Sequence, residues 1–291
     1  MQVRRGILFS FLFPAFSVMF FIALTPFVFS ILVSLMDYNL MYSSSPRFVG
    51  LRNFVQLIQD ERFLNALRNT ALFVVSCVSI EFMIGLPLAY LIYISVKKRI
   101  LRNLIIVLIT FPMMFPRVTS GLLWKFLYNP LFSPIGQFFQ KVGIPFAPLS
   151  DPHTALFAII FVDIWQWTPF FILILLSGLE SLPQDMFEAA SIDGANEKQK
   201  FWYLALPSLK PICWIAIMFR TIDALRTFDT IYVMTGGGPG IATETLDIYA
   251  YLIGISQGGR ISYASSAALV LLAISVIVAN LLVRFFREGE V

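Results

Sequence analysis

Charged side chains occur inside apolar stretches of this sequence, where they are costly to bury in a membrane or a protein core. One series alternates in sign at intervals of three residues: Arg220, Asp223, Arg226 and Asp229. Three further charges lie inside apolar stretches: Glu81, Arg117 and Asp163. On one helix the series would occupy adjoining positions. It could form a salt-linked face packed inside a helix bundle, or line a wet cavity and hydrogen-bond a polar ligand.

Aromatic and amide side chains accompany the series. Phe228 and Tyr232 could stack against the apolar face of a ligand, and Trp165 and Gln166 in the preceding apolar stretch could add further contacts. The candidates for ligand contact are therefore Asp223, Arg226, Phe228, Tyr232, Trp165 and Gln166. They do not identify the ligand.

No catalytic set of residues is present in the sequence. The glycine-rich run at Gly236, Gly237, Gly238 and Pro239 lacks the Gly-Lys-Ser/Thr that a phosphate-binding loop needs, so it is either a flexible gate or an ordinary turn. A single histidine cannot build a His-based metal cluster, and the two cysteines lie in or beside apolar runs. We predict no catalytic residue, no metal and no bound cofactor on this chain.

Composition indicates an integral membrane protein, because 58% of the residues are hydrophobic, 13% are charged and the mean hydropathy is +0.80. We predict an all-α fold with six membrane-spanning helices at about 7–35, 70–94, 104–127, 154–179, 212–232 and 264–286. Pro112 and Pro116 should bend the third. A short amphipathic helix is expected at about 51–58, and the apolar run at about 246–255 is too short to cross.

The distribution of basic residues predicts the orientation of these spans. One set of segments carries Arg4, Arg5, Lys97, Lys98, Arg99, Arg102, Lys198, Lys200, Lys210, Arg284 and Arg287. The opposite loops carry fewer: Arg47, Arg52, Arg62, Lys141 and Arg260, with Arg68 at a span edge. The positive-inside rule then places both termini, and the polar segment at about 181–207, in the cytoplasm.

That polar segment carries helix signals of its own. Ser181 with Gln184 is typical of a capping box, and the helix should run to about Ile192. A turn at Asp193 and Gly194 should follow. A second short helix, capped by Asn196, is expected to end before Pro207.

The same segment resembles the cytoplasmic EAA loop of ABC-importer permeases. The match rests on Glu188-Ala189-Ala190, on Gly194 four residues after the second alanine, and on Leu206-Pro207; Leu204 stands where isoleucine is usual. The runs 227–232, 235–239 and 243–246 are similar to the carbohydrate-uptake branch, which includes permeases for maltose, other oligosaccharides and glycerol phosphate. The large periplasmic insertion of the maltose permease's longer subunit is lacking.

The resemblance implies a type I ABC-importer permease fold with a cytoplasmic coupling helix. It assigns ATPase coupling to Glu188, Ala189, Ala190, Asp193, Gly194, Leu206 and Pro207. It makes the six ligand-contact candidates a substrate pathway, and Gly236, Gly237, Gly238 and Pro239 an external gate loop. It divides the chain into a first helix and external loop (1–64), a permease core (65–286) and a cytoplasmic tail (287–291).

The resemblance also implies partners in a bacterial or archaeal cytoplasmic membrane. These are a second permease subunit, for which a different chain is favoured, two ATPase subunits that hold ATP and Mg, an extracytoplasmic substrate-binding protein, a carbohydrate and membrane lipid. No nucleic acid is expected. One alternative is an anionic sugar or glycerol-phosphate-type substrate. Others are a secondary transporter, which would usually show internal repeats, and a membrane-embedded enzyme, which would need a convergent set of catalytic groups.

Overall fold

Helices make up most of the computed structural model, which describes residues 5–41 and 45–288. In chain order they are α1 (Arg5–Ser34), α2 (Arg52–Gln59), α3 (Glu61–Ser95), α4 (Arg99–Thr110), α5 (Arg117–Leu127), α6 (Pro134–Lys141), α7 (Ala155–Ser181), α8 (Gln184–Ile192), α9 (Glu197–Lys200), α10 (Leu206–Ala224), α11 (Asp229–Thr235), α12 (Leu246–Tyr251) and α13 (Ile261–Glu288). Between α1 and α2, the two-residue strands β1 (Met36–Asp37) and β2 (Arg47–Phe48) pair antiparallel. Arg4 and residues 289–291 of the predicted tail lie outside the described residues.

Five helices in the described ranges are long and apolar enough to cross a membrane, and there are up to six if the bent pair of α4 and α5 counts as one span. The predicted all-α, multi-span class is therefore confirmed. The short helix expected at about 51–58 is α2. The apolar run at about 246–255 is α12 with a π-helical turn (Leu252–Ser256), and it stays too short to cross.

Prolines break the third predicted span, as expected, and the break is sharp. Between α4 and α5 the chain passes through a 3₁₀ turn (Phe111–Met114), and the two helix axes meet at 88°. Pro116 is the residue before α5 and has an extended ψ of 143°, which ends the helical path from α4. The bend turns Arg117, the first residue of α5, towards α7 and α10.

The capping box predicted at Ser181 and Gln184 is wrong. Ser181 is the last residue of α7, and its hydroxyl donates to the Gly178 carbonyl at 2.7 Å. The capping box forms one helix later. There Asn196 accepts from the Gln199 amide at 2.9 Å, and the Gln199 side chain accepts from the Asn196 amide at 2.8 Å. The predicted cap at Asn196 is thus confirmed.

The prediction that the second helix ends before Pro207 is also wrong. α9 continues through a π-helical turn (Phe201–Ala205) into α10, so residues Glu197–Ala224 form one long span. The Leu206 amide donates to the Phe201 carbonyl five residues back. This wider turn places Pro207 among the first residues of α10, where a missing N–H group is tolerated.

The fifth span ends earlier than predicted. α10 ends at Ala224, and the amides of Arg226 and Thr227 donate to carbonyls only three residues back, at 3.1 and 3.2 Å. α11 begins again at Asp229. The interpretation that one helix carries all four alternating charges is therefore wrong, because Arg226 and Asp229 lie beyond the end of α10.

The described chain divides into two compact units. One takes in the described residues up to Leu64 together with Tyr249–Ala273, and the other takes in Asn65–Ile248 with the described residues from Ile274. In the first unit, the Asn53 side chain donates to the carbonyls of Ser34 and Met36 at 2.7 and 2.8 Å, which ties α2 to the end of α1. In the second unit α7 is central, and its Phe171 and Leu175 are fully buried.

Candidate functional site

α8 and the turn after it form a solvent-exposed protrusion between α7 and the span that starts at Glu197. No residue of α8 is buried, and Glu188, Ala189, Asp193 and Gly194 are all exposed. Ala190 is half-buried. The turn closes where the Ala195 amide donates to the Ala190 carbonyl at 2.9 Å.

Gly194 adopts a left-handed backbone conformation, with φ at +83°, and a Cβ built on it would meet no atom within 4 Å. A side chain there would be strained by the backbone angle, because L-residues rarely adopt it, but it would not clash within this chain. The predicted turn at Asp193 and Gly194 is therefore confirmed. Leu206 and Pro207, the other predicted coupling residues, lie at the start of α10 and are half-buried and exposed, respectively.

Large apolar side chains surround this turn in the open. Ile192 is 86% exposed, Trp202 60% and Tyr203 77%. A cavity of about 320 Å³ lies beside the turn, bordered by Ala190, Asp193, Gly194 and Tyr203 among others. Exposed aromatic and aliphatic groups around a shallow recess are typical of a protein docking surface.

Hydrogen bonds and ion pairs connect this segment to the ends of the spans. The Tyr90 hydroxyl lies 3.2 Å from the Glu197 carboxylate, and Arg102 donates to Glu180 at 2.5 Å. Glu180 precedes α8 by four residues, and Glu197 is the first residue of α9. Side chains of α3 and α4 thus hold the residue before this segment, Glu180, and the start of α9 within it.

A second cluster of charges lies among the apolar helices, and Arg220 is its centre. Its guanidinium donates to both carboxylate oxygens of Glu81, at 2.7 and 2.8 Å, and also to Asp163. All three side chains are at most 1% exposed. A third carboxylate, on Asp223, lies 3.0 Å from Arg220. The sequence marked each of these as an intramembrane charge, but did not indicate that Glu81 and Asp163 pair with Arg220.

Arg117 extends this network towards the break between α10 and α11. It donates to Asp223 at 2.5 Å and to the Thr227 hydroxyl at 2.8 Å. Trp167 lies beneath both arginines, with its ring 5.1 Å from the Arg117 guanidinium carbon and 5.2 Å from that of Arg220. Asp223 is 41% exposed, so the network runs from a buried ion pair to an accessible carboxylate.

Phe228 and Tyr232 follow in the sequence on Thr227, which Arg117 contacts together with Asp223. Their rings stack on each other with centroids 5.1 Å apart and an angle of 14° between the planes. The two rings therefore cover each other's inner faces, and Tyr232 is 37% exposed. Arg226 and Asp229 are exposed nearby in the sequence.

Trp165 and Gln166, the two candidates from α7, pack against other residues of the helix bundle. The Trp165 ring packs edge-on against Trp124, with centroids 5.4 Å apart. Gln166 is 1% exposed, and its amide donates to the Phe115 carbonyl at 2.8 Å, which holds the break between α4 and α5 against α7. Of the six candidates, the structure brings Phe228 and Tyr232 together in one stack, leaves Asp223 accessible and gives Gln166 an internal packing position.

The glycine-rich run is an ordered turn after α11. Gly236 and Gly237 have φ of +62° and +95°, and Thr243 donates from its hydroxyl to the Gly238 carbonyl at 2.7 Å. The Asn69 side chain holds the following segment, donating to the carbonyls of residues 241, 242 and 244 at 3.0–3.2 Å. Asp247 follows this segment in the sequence. Burial raises the pKa of its carboxyl to about 6, although the charge of Arg226 opposes the rise.

The family model described as "Binding-protein-dependent transport system inner membrane component" matches residues 81–288. The chain therefore belongs to this family of ABC-importer permeases, which confirms the resemblance found in the sequence.

Named relatives are similar over most of their length. The trehalose/maltose transport system permease protein MalF of Thermococcus litoralis is 39% identical over 206 residues, which cover 70% of this chain and 68% of that protein. The sn-glycerol-3-phosphate transport system permease protein UgpA of Agrobacterium fabrum is 31% identical over 82% of this chain and 80% of its own. A crystal structure of a bacterial ABC transporter involved in the import of alginate, an acidic polysaccharide, has the same fold, with a TM-score of 0.84 at 20% identity and coverage of 97% and 96%.

Proposed function

We propose that this chain is the carbohydrate permease subunit of an ATP-driven importer, forming half of the translocation pathway. The exposed coupling segment carries the proposal. α8 projects between two spans with no buried residue, ends on a left-handed glycine, and is bordered by exposed Ile192, Trp202 and Tyr203. A permease with no nucleotide-binding motif needs such a surface to bind a separate ATPase, whose ATP hydrolysis drives transport.

The residues proposed to contact the ATPase are Glu188, Ala189, Ala190, Asp193, Gly194, Leu206 and Pro207. Two ATPase subunits would hold ATP and Mg there, on the cytoplasmic side. This orientation follows from the basic residues of the sequence. A second permease chain would complete the pathway, and a substrate-binding protein would deliver the sugar from outside. The division at residue 64, between the first helix and the permease core, stays part of this proposal.

The substrate would pass the accessible end of the charge network. Asp223 offers a carboxylate to sugar hydroxyls, and the outer face of the Phe228–Tyr232 stack offers an apolar surface to the ring. Trp165 and Gln166 would support this wall from α7. The glycine-rich turn at 236–239 would then be the external gate of the pathway.

A second candidate is an anionic substrate such as a glycerol phosphate. Arg226 favours it, because this exposed arginine follows α10 immediately and lies close in sequence to Asp223 and Phe228. Guanidinium groups recognise phosphate and carboxylate by paired hydrogen bonds. A relative named for sn-glycerol-3-phosphate transport is consistent with it.

Reconstituted transport tests the proposal. The chain, its permease partner, the ATPase and the binding protein are placed in proteoliposomes with labelled trehalose, maltose or sn-glycerol 3-phosphate. ATP-dependent, vanadate-sensitive uptake of one of them is expected, and uptake should stop when the ATPase is omitted. Uptake driven by an ion gradient without the ATPase would instead indicate a secondary transporter.

A further inference from the structure

A polar cavity lies in the unit formed by the described residues up to Leu64 and by Tyr249–Ala273, away from the pathway residues in sequence. Its volume is about 230 Å³. Val49 is its only lining residue without a polar side-chain atom. Five of the lining residues lie at the end of β1, on α2, and just before or at the start of α13: Asp37, Arg52, Gln56, Arg260 and Ser262.

Ser262 is buried in this wall without a hydrogen-bond partner for its hydroxyl. The residue is 2% exposed, and its Oγ contacts no donor or acceptor within the described chain. A buried hydroxyl that makes no hydrogen bond loses the solvation it had in water, so native proteins rarely leave one unsatisfied. The Oγ atom itself has almost no accessible surface in this conformation, so a ligand oxygen in the cavity would satisfy it after the Ser262 side chain rotates towards the cavity.

The other lining groups are held in position by contacts of their own. The Asn53 amide is occupied by the carbonyls of Ser34 and Met36, so it braces α2. Arg260 lies over the Tyr263 ring, 4.2 Å from its centroid. Arg52 and Gln56 are four residues apart on α2, so their side chains project on the same face into the cavity.

These groups define the chemistry of a ligand. Two guanidinium groups can take a carboxylate by paired hydrogen bonds. The Asp37 carboxylate, the Gln56 amide and the Ser262 hydroxyl suit neutral hydroxyls. The volume is below the roughly 300–1,000 Å³ of sites for drug-sized ligands and is in the range of a single sugar ring.

We propose that this cavity binds an acidic monosaccharide unit, with its carboxylate on Arg52 and Arg260 and its hydroxyls on Asp37, Gln56 and Ser262. The site differs from the proposed substrate pathway at residues 223–232 and does not depend on it. A carboxylate side chain from a protein partner would satisfy the arginines but would leave most of the cavity unfilled, so the sugar is favoured.

Ligand binding to the reconstituted complex tests the proposal, with sodium D-glucuronate as the probe. Saturable binding in nanodiscs is measured by isothermal titration calorimetry. We expect Arg52→Gln to weaken binding by about tenfold or more, because a charged hydrogen-bonding partner is lost, and Ser262→Ala to weaken it by about two- to tenfold. D-glucose, which lacks the carboxylate, should bind more weakly than D-glucuronate and should not distinguish wild type from Arg52→Gln.

Arg47→Gln is the matched control. Arg47 lies on the neighbouring strand β2, is exposed and does not line the cavity, so its replacement should leave glucuronate binding unchanged. Equal affinity of wild type and Arg52→Gln, or no saturable binding to wild type, would overturn the proposal. If glucuronate fails to bind but Arg52→Gln weakens association with the substrate-binding protein, the cavity is a protein contact and the sugar site is wrong. ATP-driven uptake, measured separately, reports on the transport function alone.

Discussion

Arg220 donates to both carboxylate oxygens of Glu81, at 2.7 and 2.8 Å, and neither side chain is more than 1% exposed. The pair joins α3 to α10 across 139 residues of sequence. Charges this deeply buried are tolerated only when they are paired and hydrogen-bonded. Arg220 is therefore a structural centre of the helix bundle, whereas Asp223 at the edge of the same network is accessible.

Replacing Glu81 and Asp223 in turn should separate these roles. Glu81→Ala leaves the Arg220 charge with less compensation in the interior and should cost about 3–5 kcal/mol. The yield of assembled complex and the thermal unfolding temperature should both fall. Asp223→Ala leaves Arg220 its bonds to Glu81 and Asp163, and Arg117 its bond to Thr227, so assembly should be near normal while sugar uptake falls. Similar losses of assembly in both variants would show that Asp223 is structural as well.

Gly194→Val should uncouple the permease from its ATPase. A β-branched residue in the left-handed region costs about 1–2 kcal/mol and should distort the turn that presents α8. We expect reduced co-purification of the ATPase and reduced uptake, with normal membrane insertion.

Gly143→Val is the matched control for that variant. Gly143 follows α6 with φ at +77°, has no atom within 4 Å of a built Cβ, and donates to a carbonyl three residues back, as Gly194 does. Both glycines have a left-handed backbone, and the predicted topology places their segments on opposite sides of the membrane. If both reduce ATPase association equally, Gly194 has no specific coupling role.

Patterns among residues close in sequence predict much of this fold, but they do not predict contacts between side chains that are far apart in the sequence. The apolar runs, the proline break near Pro112, the turn at Gly194 and the cap at Asn196 all follow from residues close in sequence. The break after Ala224 has no such mark, because residues 221–235 contain neither glycine nor proline. The spacing of charges likewise predicts partners for Arg220 three residues away, whereas its guanidinium donates to both carboxylate oxygens of Glu81, 139 residues away.

The pH dependence of stability should reveal how much the ionised Asp60 carboxylate stabilises the fold. Burial would raise the pKa of this carboxyl, but hydrogen bonds from Tyr249 at 2.5 Å, from Tyr263 at 3.0 Å and from the amides of Arg62 and Phe63 outweigh it and lower the pKa. A lowered folded pKa means that the stabilisation is complete above the unfolded value, about 3.9, and is lost as the pH falls through the folded value.

The variant Asp60→Asn removes this charge and the oxygen that accepts from the two tyrosine hydroxyls, while the remaining amide oxygen can still cap α3. Its thermal unfolding temperature should lie below that of wild type at pH 6, and the difference should shrink between about pH 5 and pH 3. Intrinsic tryptophan fluorescence can follow both proteins. A difference that stays constant across this range would mean that the Asp60 charge does not stabilise the fold.

Thiol labelling should determine the orientation of the spans. Phe48 is 76% exposed on β2 and is proposed to lie outside, whereas the exposed Lys198 on α9 is proposed to lie in the cytoplasm. In intact cells an impermeant maleimide should modify Phe48→Cys, while Lys198→Cys should react only after permeabilisation. The background should be low, because Cys77 is fully buried and Cys213 is 6% exposed. The reverse pattern would invert the topology.

The aromatic stack of Phe228 and Tyr232 should decide whether the pathway passes this point. Tyr232→Ala removes the 37% exposed ring and leaves Phe228 in place, so the apolar wall offered to a sugar is lost while the buried ion pairs of Arg220 stay intact. We expect uptake to fall about tenfold, with ATPase activity still stimulated by the binding protein, because loss of a well-packed aromatic contact costs on the order of 1–2 kcal/mol.

Phe138→Ala is the control, since Phe138 is a 62% exposed ring on α6 that pairs with the neighbouring Phe139. Arg226→Ala, measured in the same assay, separates the two substrate classes: a larger loss for sn-glycerol 3-phosphate than for maltose would indicate an anion pathway. Loss of assembly, ATPase stimulation and uptake together in Tyr232→Ala would instead show that the stack only supports the fold.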